Sequence, residues 1–229
     1  MNRRRAAFEL LIFGALALGL RFAFDPLFWR YAGPVSLILT LALLLAYLRR
    51  RGEGWSSLGL IRLPGLRSKL LLAPQTLVAF VLFAASIALT VFGGQAVGLE
   101  FMGEEPPGVE ERWGDVAGNL PMYLTWLGIV WTSAAFGEEM FFRGFLITRF
   151  DAVLRGAPLS GALAVVLAAL FFGLGHYYYQ GLRGLITTAG IGIAFGTAFL
   201  LFKRNLWPLV ITHGIIDTIN FSALYFEWE

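Results

Sequence analysis

The sequence predicts an all-α, polytopic membrane helical bundle of about seven to eight transmembrane helices, with a cytoplasmic N-terminus. Three observations predict it. Apolar residues make up 58% of the 229 residues and charged residues only 14%, where a soluble domain carries about 25% charge. Mean hydropathy is +0.71. The apolar residues gather into runs close to the ~20 residues that a helix needs to cross a bilayer. Cysteine is absent, which excludes a disulfide framework, a thiol nucleophile and a thiolate metal site. A net charge of +3 is too small to point to a nucleic-acid partner. The bilayer itself is the first partner expected.

The first run, 6–24, follows Arg3, Arg4 and Arg5. It resembles a signal peptide at its start, but Arg21, Asp25 and Pro26 follow in place of a small-residue cleavage site, so a retained membrane helix is expected. Further spans are expected at 34–48, 70–93, 120–137 (continuing to about 150), 159–179, 184–202 and 206–224. An eighth helix arises only if 138–150 breaks from the segment before it. Basic residues then fall on one side: Arg3 to Arg5, Arg49 to Arg51, Arg62, Arg67, Lys69, Arg149, Arg155, Lys203 and Arg204. That side is the cytoplasmic one. The segment 94–118 carries Glu100, Glu104, Glu105, Glu110, Glu111 and Asp115 against Arg112 alone, and is expected as an external, weakly ordered loop or lid. Residues 1–119 read as scaffold helices with this acidic loop, and 120–229 as the core that carries chemistry, within one continuous membrane domain. Gly190, Gly192 and Gly196 place small residues at helical spacing, which suits close helix packing.

The buried polar inventory sits in the C-terminal half, and the first three spans contribute almost nothing ionisable at depth. Each charge at depth costs roughly 2.5–3.5 kcal/mol in the bilayer by insertion scales, so each needs a reason. Glu138, Glu139 and Arg143 fall within six residues. On an α-helix Glu139 and Arg143 are stacked at i and i+4 and form an internal pair, whereas Glu138 faces about 100° away without a local partner. It is either a protonated core carboxyl bonded to a neighbouring helix or a general base. His176, followed by three tyrosines, suits an interfacial aromatic belt when taken alone. His213 and Asp217 are one turn apart, as are a carboxylate and the imidazole it orients, and Asn220 lies on the same face. Three helices that each present Glu or His at depth have no cheap structural explanation. One joint is loose. At 1.5 Å per residue, His213 lies about 12 Å into its helix, Glu138 about 18 Å from Phe150 and His176 about 25 Å into its own. They meet only if the 159–179 helix tilts or starts outside the bilayer.

In order and spacing these residues match a family. Glu138-Glu139-Met140-Phe141-Phe142-Arg143 resembles the E-E-x-x-x-R motif of the CAAX-protease and bacteriocin-processing (CPBP, Abi-like) family of intramembrane proteases. Phe172-Gly173-Leu174-Gly175-His176 resembles its F-x-x-x-H motif, and His213-Gly214-Ile215-Ile216-Asp217 its H-x-x-x-N/D motif. The resemblance implies peptide-bond hydrolysis in a cavity within a membrane, expected to be a prokaryotic cytoplasmic one. It implies that Glu138 activates water with His176 assisting, that His213 and residue 217 stabilise the oxyanion, and that Glu139, Arg143 and Phe172 support the site. The substrate would be a membrane-associated peptide or protein, with lipid modification within the family's range. The chain departs from members with Asn at the last motif position. Asp217 donates a hydrogen bond only when protonated, so either Asp217 orients and charges His213, or Asn220 supplies the amide.

Competing functions are a non-proteolytic immunity or scaffold protein of the same fold and, with little support, an ion-coupled transporter, for which the paired interrupted helices are missing. Two histidines and two acidic residues suit zinc in principle, but there is no H-E-x-x-H, and a metal-free site without cofactor is favoured. Ser133, in Thr-Ser-Ala-Ala without a Gly-x-Ser-Gly pattern, is expected to serve helix packing.

Overall fold

The first helix, α1 (Arg3–Arg50), is capped by Asn2, whose Oδ1 accepts from the Arg4 amide at 3.0 Å. It is a folded-back pair of arms. The backbone leaves helical geometry at Phe28 (φ −159°, ψ 61°), between Pro26 and Pro34, where two backbone donors are missing. Tyr47 donates to Glu9 Oε1 at 2.9 Å, and its ring stands 5.5 Å from that of Phe13. In a straight helix residues 9 and 47 would be about 57 Å apart. The computed structural model that shows this describes residues 2–104 and 108–228, without the side chain of Glu110.

After a connector come α2 (Gly65–Leu70), α3 (Leu72–Ile87), a π-helical turn over Ala88–Phe92 and α4 (Gly93–Ala96), which continue one another. A short α5 (Gly108–Trp113) precedes a long rod. That rod is α6 (Leu120–Ile129), a π-helix over Val130–Ile147 and α7 (Thr148–Val153), with Asn119 capping its start and no break at residue 138. Next, α8 (Ser160–Leu201) is a second fold-back, and α9 (Trp207–Phe226) ends the bundle. Among the described residues there is no strand.

The reversal in α8 falls on Gly181 (φ 58°, ψ −154°), a backbone region open in practice only to glycine. The two arms then pack backbone to backbone. A Cβ on Gly192 would stand 2.8 Å from the Cα of Ala169, so only glycine permits that approach. At Gly196 a Cβ would meet the Val165 side chain at 2.7 Å, whereas Gly190 meets the Thr90 side chain of the π-turn after α3.

Four helical stretches, Arg3–Arg50, Gly65–Ala96, Ser160–Leu201 and Trp207–Phe226, are long and apolar enough to cross a membrane. Their outer faces are bare: Leu11 is 73% and Leu89 75% exposed, and Phe22, Leu77 and Leu201 are comparable. An apolar surface of that extent needs lipid to cover it. The protein is an integral membrane protein built of apolar helices.

The rod through the π-helix is the hub, packed against α1, α8 and α9. Its Met140, Phe145 and Ile147 are buried with Leu44 and Leu48 of α1, Phe195 and Phe199 of α8, and Leu209 of α9. Ser133 is buried and reaches the Pro34 carbonyl of α1 at 3.5 Å, the helix-packing place expected for it.

The acidic segment differs from expectation where it is described. It is a packed cap. Trp113 stands edge-on to Trp126 at 4.9 Å and to Phe221 at 5.1 Å, with Val116 buried beside them. The Trp126 indole donates to the Trp113 carbonyl at 2.9 Å. The sequence signal of acid, proline and glycine missed this because two tryptophans and a valine outweigh it in buried area. Glu105 and the side chain of Glu110 lie outside the described residues.

Candidate active site

The π-helix carries the first pair of carboxylates. An i→i+5 ladder widens each turn, so adjacent residues are separated by a smaller angle than in an α-helix. Glu138 and Glu139 are therefore closer in direction than α-helical geometry predicts, and one imidazole reaches toward both. Glu139 is fully buried and its Oε1 accepts from Arg143 Nη1 at 3.0 Å. The same oxygen stands 2.8 Å from His213 Nδ1. Its Oε2 is buried with no hydrogen-bond partner among the described residues.

Arg143 is held on all sides. Its guanidinium lies over the rings of Phe172 at 4.5 Å and Phe195 at 5.3 Å, one from each arm of α8. Each such contact contributes about 0.5–2 kcal/mol when desolvated. Nη2 reaches the Ile191 carbonyl at 3.5 Å.

His213 joins α9 to the π-helix. Its Nδ1 is engaged by Glu139, and its Nε2 stands 3.5 Å from Asp217 Oδ2 and 4.0 Å from Glu138 Oε2. The sequence expectation that Glu139 is fully accounted for by Arg143 is thus incomplete. The carboxylate on Nδ1, the one that fixes the ring, comes from another helix, and Asp217 faces the opposite nitrogen. Glu138 is unlike its neighbour: its side chain is 22% exposed against 0% for Glu139, and it makes no hydrogen bond among the described residues. It borders open space beside Nε2.

The remaining sequence candidates divide. Phe172 touches Arg143, and His176 follows one turn on, edge-to-face with Phe172 at 4.7 Å and bonded through Nδ1 to the Phe172 carbonyl at 3.0 Å. His176 has no hydrogen bond to either glutamate among the described residues. It sits toward the Gly181 end, where Tyr179 meets Arg112 of the cap at 4.5 Å. That position follows from its place late in the first arm of α8. Asn220 is exposed and forms no side-chain hydrogen bond among the described residues, so it stands apart from the cluster. Two contributors carry no sequence signal, being apolar within apolar runs. Phe195 bridges Arg143 and His213, with its ring 6.1 Å from the imidazole. Trp131 lies against Gly214 and donates to Thr218 at 3.2 Å, which fixes α9 next to the rod.

What the arrangement offers is one free carboxylate, one imidazole with an oriented ring, and a buried ion pair that holds the imidazole. Among the described residues no group of three or more His, Asp or Glu is arranged to hold a metal ion.

No curated protein and no solved structure matches the chain. A family model does: that of the type II CAAX prenyl endopeptidase Rce1-like proteins, over residues 120–219. The match begins where α6 begins and takes in Glu138, Glu139, Arg143, His176, His213 and Asp217. Over this segment, a little under half of its length, the chain is similar to the Rce1-like, CAAX-protease family.

Proposed function

We propose that the protein is a glutamate-dependent intramembrane endopeptidase that cleaves a peptide bond of a membrane-associated peptide or protein without a metal. One observation carries this: Glu138 makes no hydrogen bond among the described residues, yet stands 4.0 Å from an imidazole that Glu139 locks in place at 2.8 Å. Glu138 takes a proton from water, and the water oxygen bonds to the scissile carbonyl carbon. The imidazole Nδ1–H donates a hydrogen bond to Glu139 and keeps its proton, so in the imidazolium form Nε2–H is the donor that turns to the oxyanion. The proton on Glu138 then passes to the leaving nitrogen as the C–N bond breaks. Asp217, at 3.5 Å from Nε2, balances the imidazolium charge before substrate enters. His176 helps to hold the water, a role that rests on the motif and on its link through Phe172 to Arg143.

The donor set favours the metal-free reading, since Glu139 is already committed to Arg143 and His213. Stoichiometric zinc in active, purified protein would overturn it. The two fold-backs divide the helices into seven rods. This supports seven crossings, with the N-terminus and the basic loops at the cytoplasmic face of a prokaryotic cytoplasmic membrane. Packing of α1 against the π-helix supports a single continuous domain in which residues 1–119 are scaffold. A lipid-modified substrate is consistent with the likeness to CAAX prenyl endopeptidases.

Comparison of wild type with Glu138→Gln in native membranes, scoring the peptides that accumulate, tests the proposal. The amide keeps shape and removes the base. Unchanged function in that variant would favour the immunity or scaffold alternative.

A further inference from the structure

At the end of the bundle where α7 finishes there is a cavity of about 450 Å³. Thr148 of the central rod is in its wall, but Glu138, His213 and Asp217 are not. Its cations are Arg5, Arg149, Arg155, Lys203 and Arg204, drawn from the start of α1, from α7 and the turn after it, and from the turn after α8. Sequence alone places these residues in loops that only share a side. The fold gathers them around one space.

The carboxylates nearby do not neutralise them. Glu9 pairs with Arg5 at 2.5 Å and Arg149 at 2.8 Å, Glu53 with Arg5 at 2.7 Å, and Asp151 with Arg204 at 2.5 Å. Arg155 and Lys203 have no ion pair among the described residues. Arg149 is the more telling. It is 3% exposed, and although Nε meets Glu9 and Nη1 meets Thr148, its Nη2 is buried without a partner. Its guanidinium is thus only partly neutralised at the wall of the cavity. Lys203 (φ 55°) and Arg204 (φ 64°) both hold a left-handed backbone that glycine adopts more readily, and yet both positions keep a cation.

We propose that this cavity binds a phosphate group, presented by the headgroup of an anionic phospholipid at the basic face of the membrane. Guanidinium forks match phosphate oxygens, and Ser56 is also in the wall. The exposed apolar helix faces begin beside it, so a lipid whose phosphate sits here has its tails against protein. The site does not depend on the proteolytic mechanism.

The test uses purified full-length protein equilibrated with vesicles of phosphatidylglycerol or of phosphatidylcholine, followed by native mass spectrometry. One retained phosphatidylglycerol per chain and no retained phosphatidylcholine is expected. Arg155→Gln with Lys203→Gln removes the two unpaired cations and leaves no carboxylate stranded. Retention should weaken roughly 25-fold, about fivefold for each cation removed near an anionic surface. The single substitutions carry the test if the double variant melts early. In a parallel arm inorganic phosphate is titrated against melting temperature. Stabilisation by phosphate that the variant loses, without lipid retention, would support the phosphate site with a soluble donor. Equal retention of both lipids together with no phosphate effect, or unchanged binding in the variant, overturns the proposal.

Discussion

Removing Arg143 should be among the most damaging single changes in the molecule, and a second substitution should repair most of the damage. Arg143→Met keeps length and volume close to native, but leaves Glu139, fully buried, with His213 Nδ1 at 2.8 Å as its one remaining partner. Breaking a buried pair from one side costs about 3–5 kcal/mol, because the orphaned charge stays in low dielectric. Part of that loss is cation–π contact with Phe172 and Phe195, about 0.5–2 kcal/mol each. Glu139→Gln added to Arg143→Met removes the stranded charge, and the amide oxygen still accepts from His213. The double variant should therefore regain most of the lost stability, leaving a deficit of about 1–2 kcal/mol. Reversible unfolding in mixed detergent micelles of wild type, both single variants and the double variant closes the cycle. A cost below about 1 kcal/mol for Arg143→Met, or a double variant no more stable than that single one, would show that the pair does not hold the site.

Three other outcomes follow from particular contacts. Asn220→Ala should leave peptidase activity within a few-fold of wild type, since Asn220 is exposed and apart from His213; Asp217→Asn should change it. The reverse pattern would restore the amide role to Asn220. Gly181→Ala should destabilise by about 1–3 kcal/mol, read as a lower melting temperature, because φ 58° and ψ −154° exclude a Cβ; an unshifted transition would mean that the turn relaxes. Asp151, at the basic end, tests electrostatics by pH. Burial alone would raise its carboxyl, but the hydrogen bond from Ser160 at 2.7 Å and Arg204 at 2.5 Å outweigh it and hold the pKa below the ordinary value. A carboxyl depressed in the folded state adds stability above its unfolded pKa, and that stability fades as pH falls through the lower folded value. Asp151→Asn should thus be less stable than wild type at neutral pH, with the gap closing in strong acid. A gap independent of pH would refute the charge contribution.

The sequence by itself determined the membrane, the helices and the chemical inventory. Long apolar runs require lipid, and a run of ~20 such residues has only the helix available to satisfy its backbone. The same economy singled out Glu138, Glu139, Arg143, His176, His213 and Asp217, because each charge at depth is costly enough to stand out singly. The reversal in α8 was foreshadowed by the gap between the apolar runs 159–179 and 184–202, and the close approach at Gly192 by glycine at helical spacing.

Tertiary structure decided everything that depends on direction. The 100° spacing of an α-helix separates Glu138 from Glu139, whereas the π-helix over Val130–Ile147 brings them round toward one imidazole, and nothing in the local sequence announces that widening. The partner on His213 Nδ1 is Glu139, 74 residues away. The i+4 residue, Asp217, faces the other nitrogen. Phe195 closes over Arg143 although nothing distinguishes it from the 21 phenylalanines of the chain. Burial cost marks a residue within its own segment, but the partner that offsets the cost is chosen by packing between helices. Spacing within the helix already gave Glu139 to Arg143 and left Glu138 without a local partner; only the fold adds His213 to Glu139 and sets Glu138 beside Nε2 of the same ring.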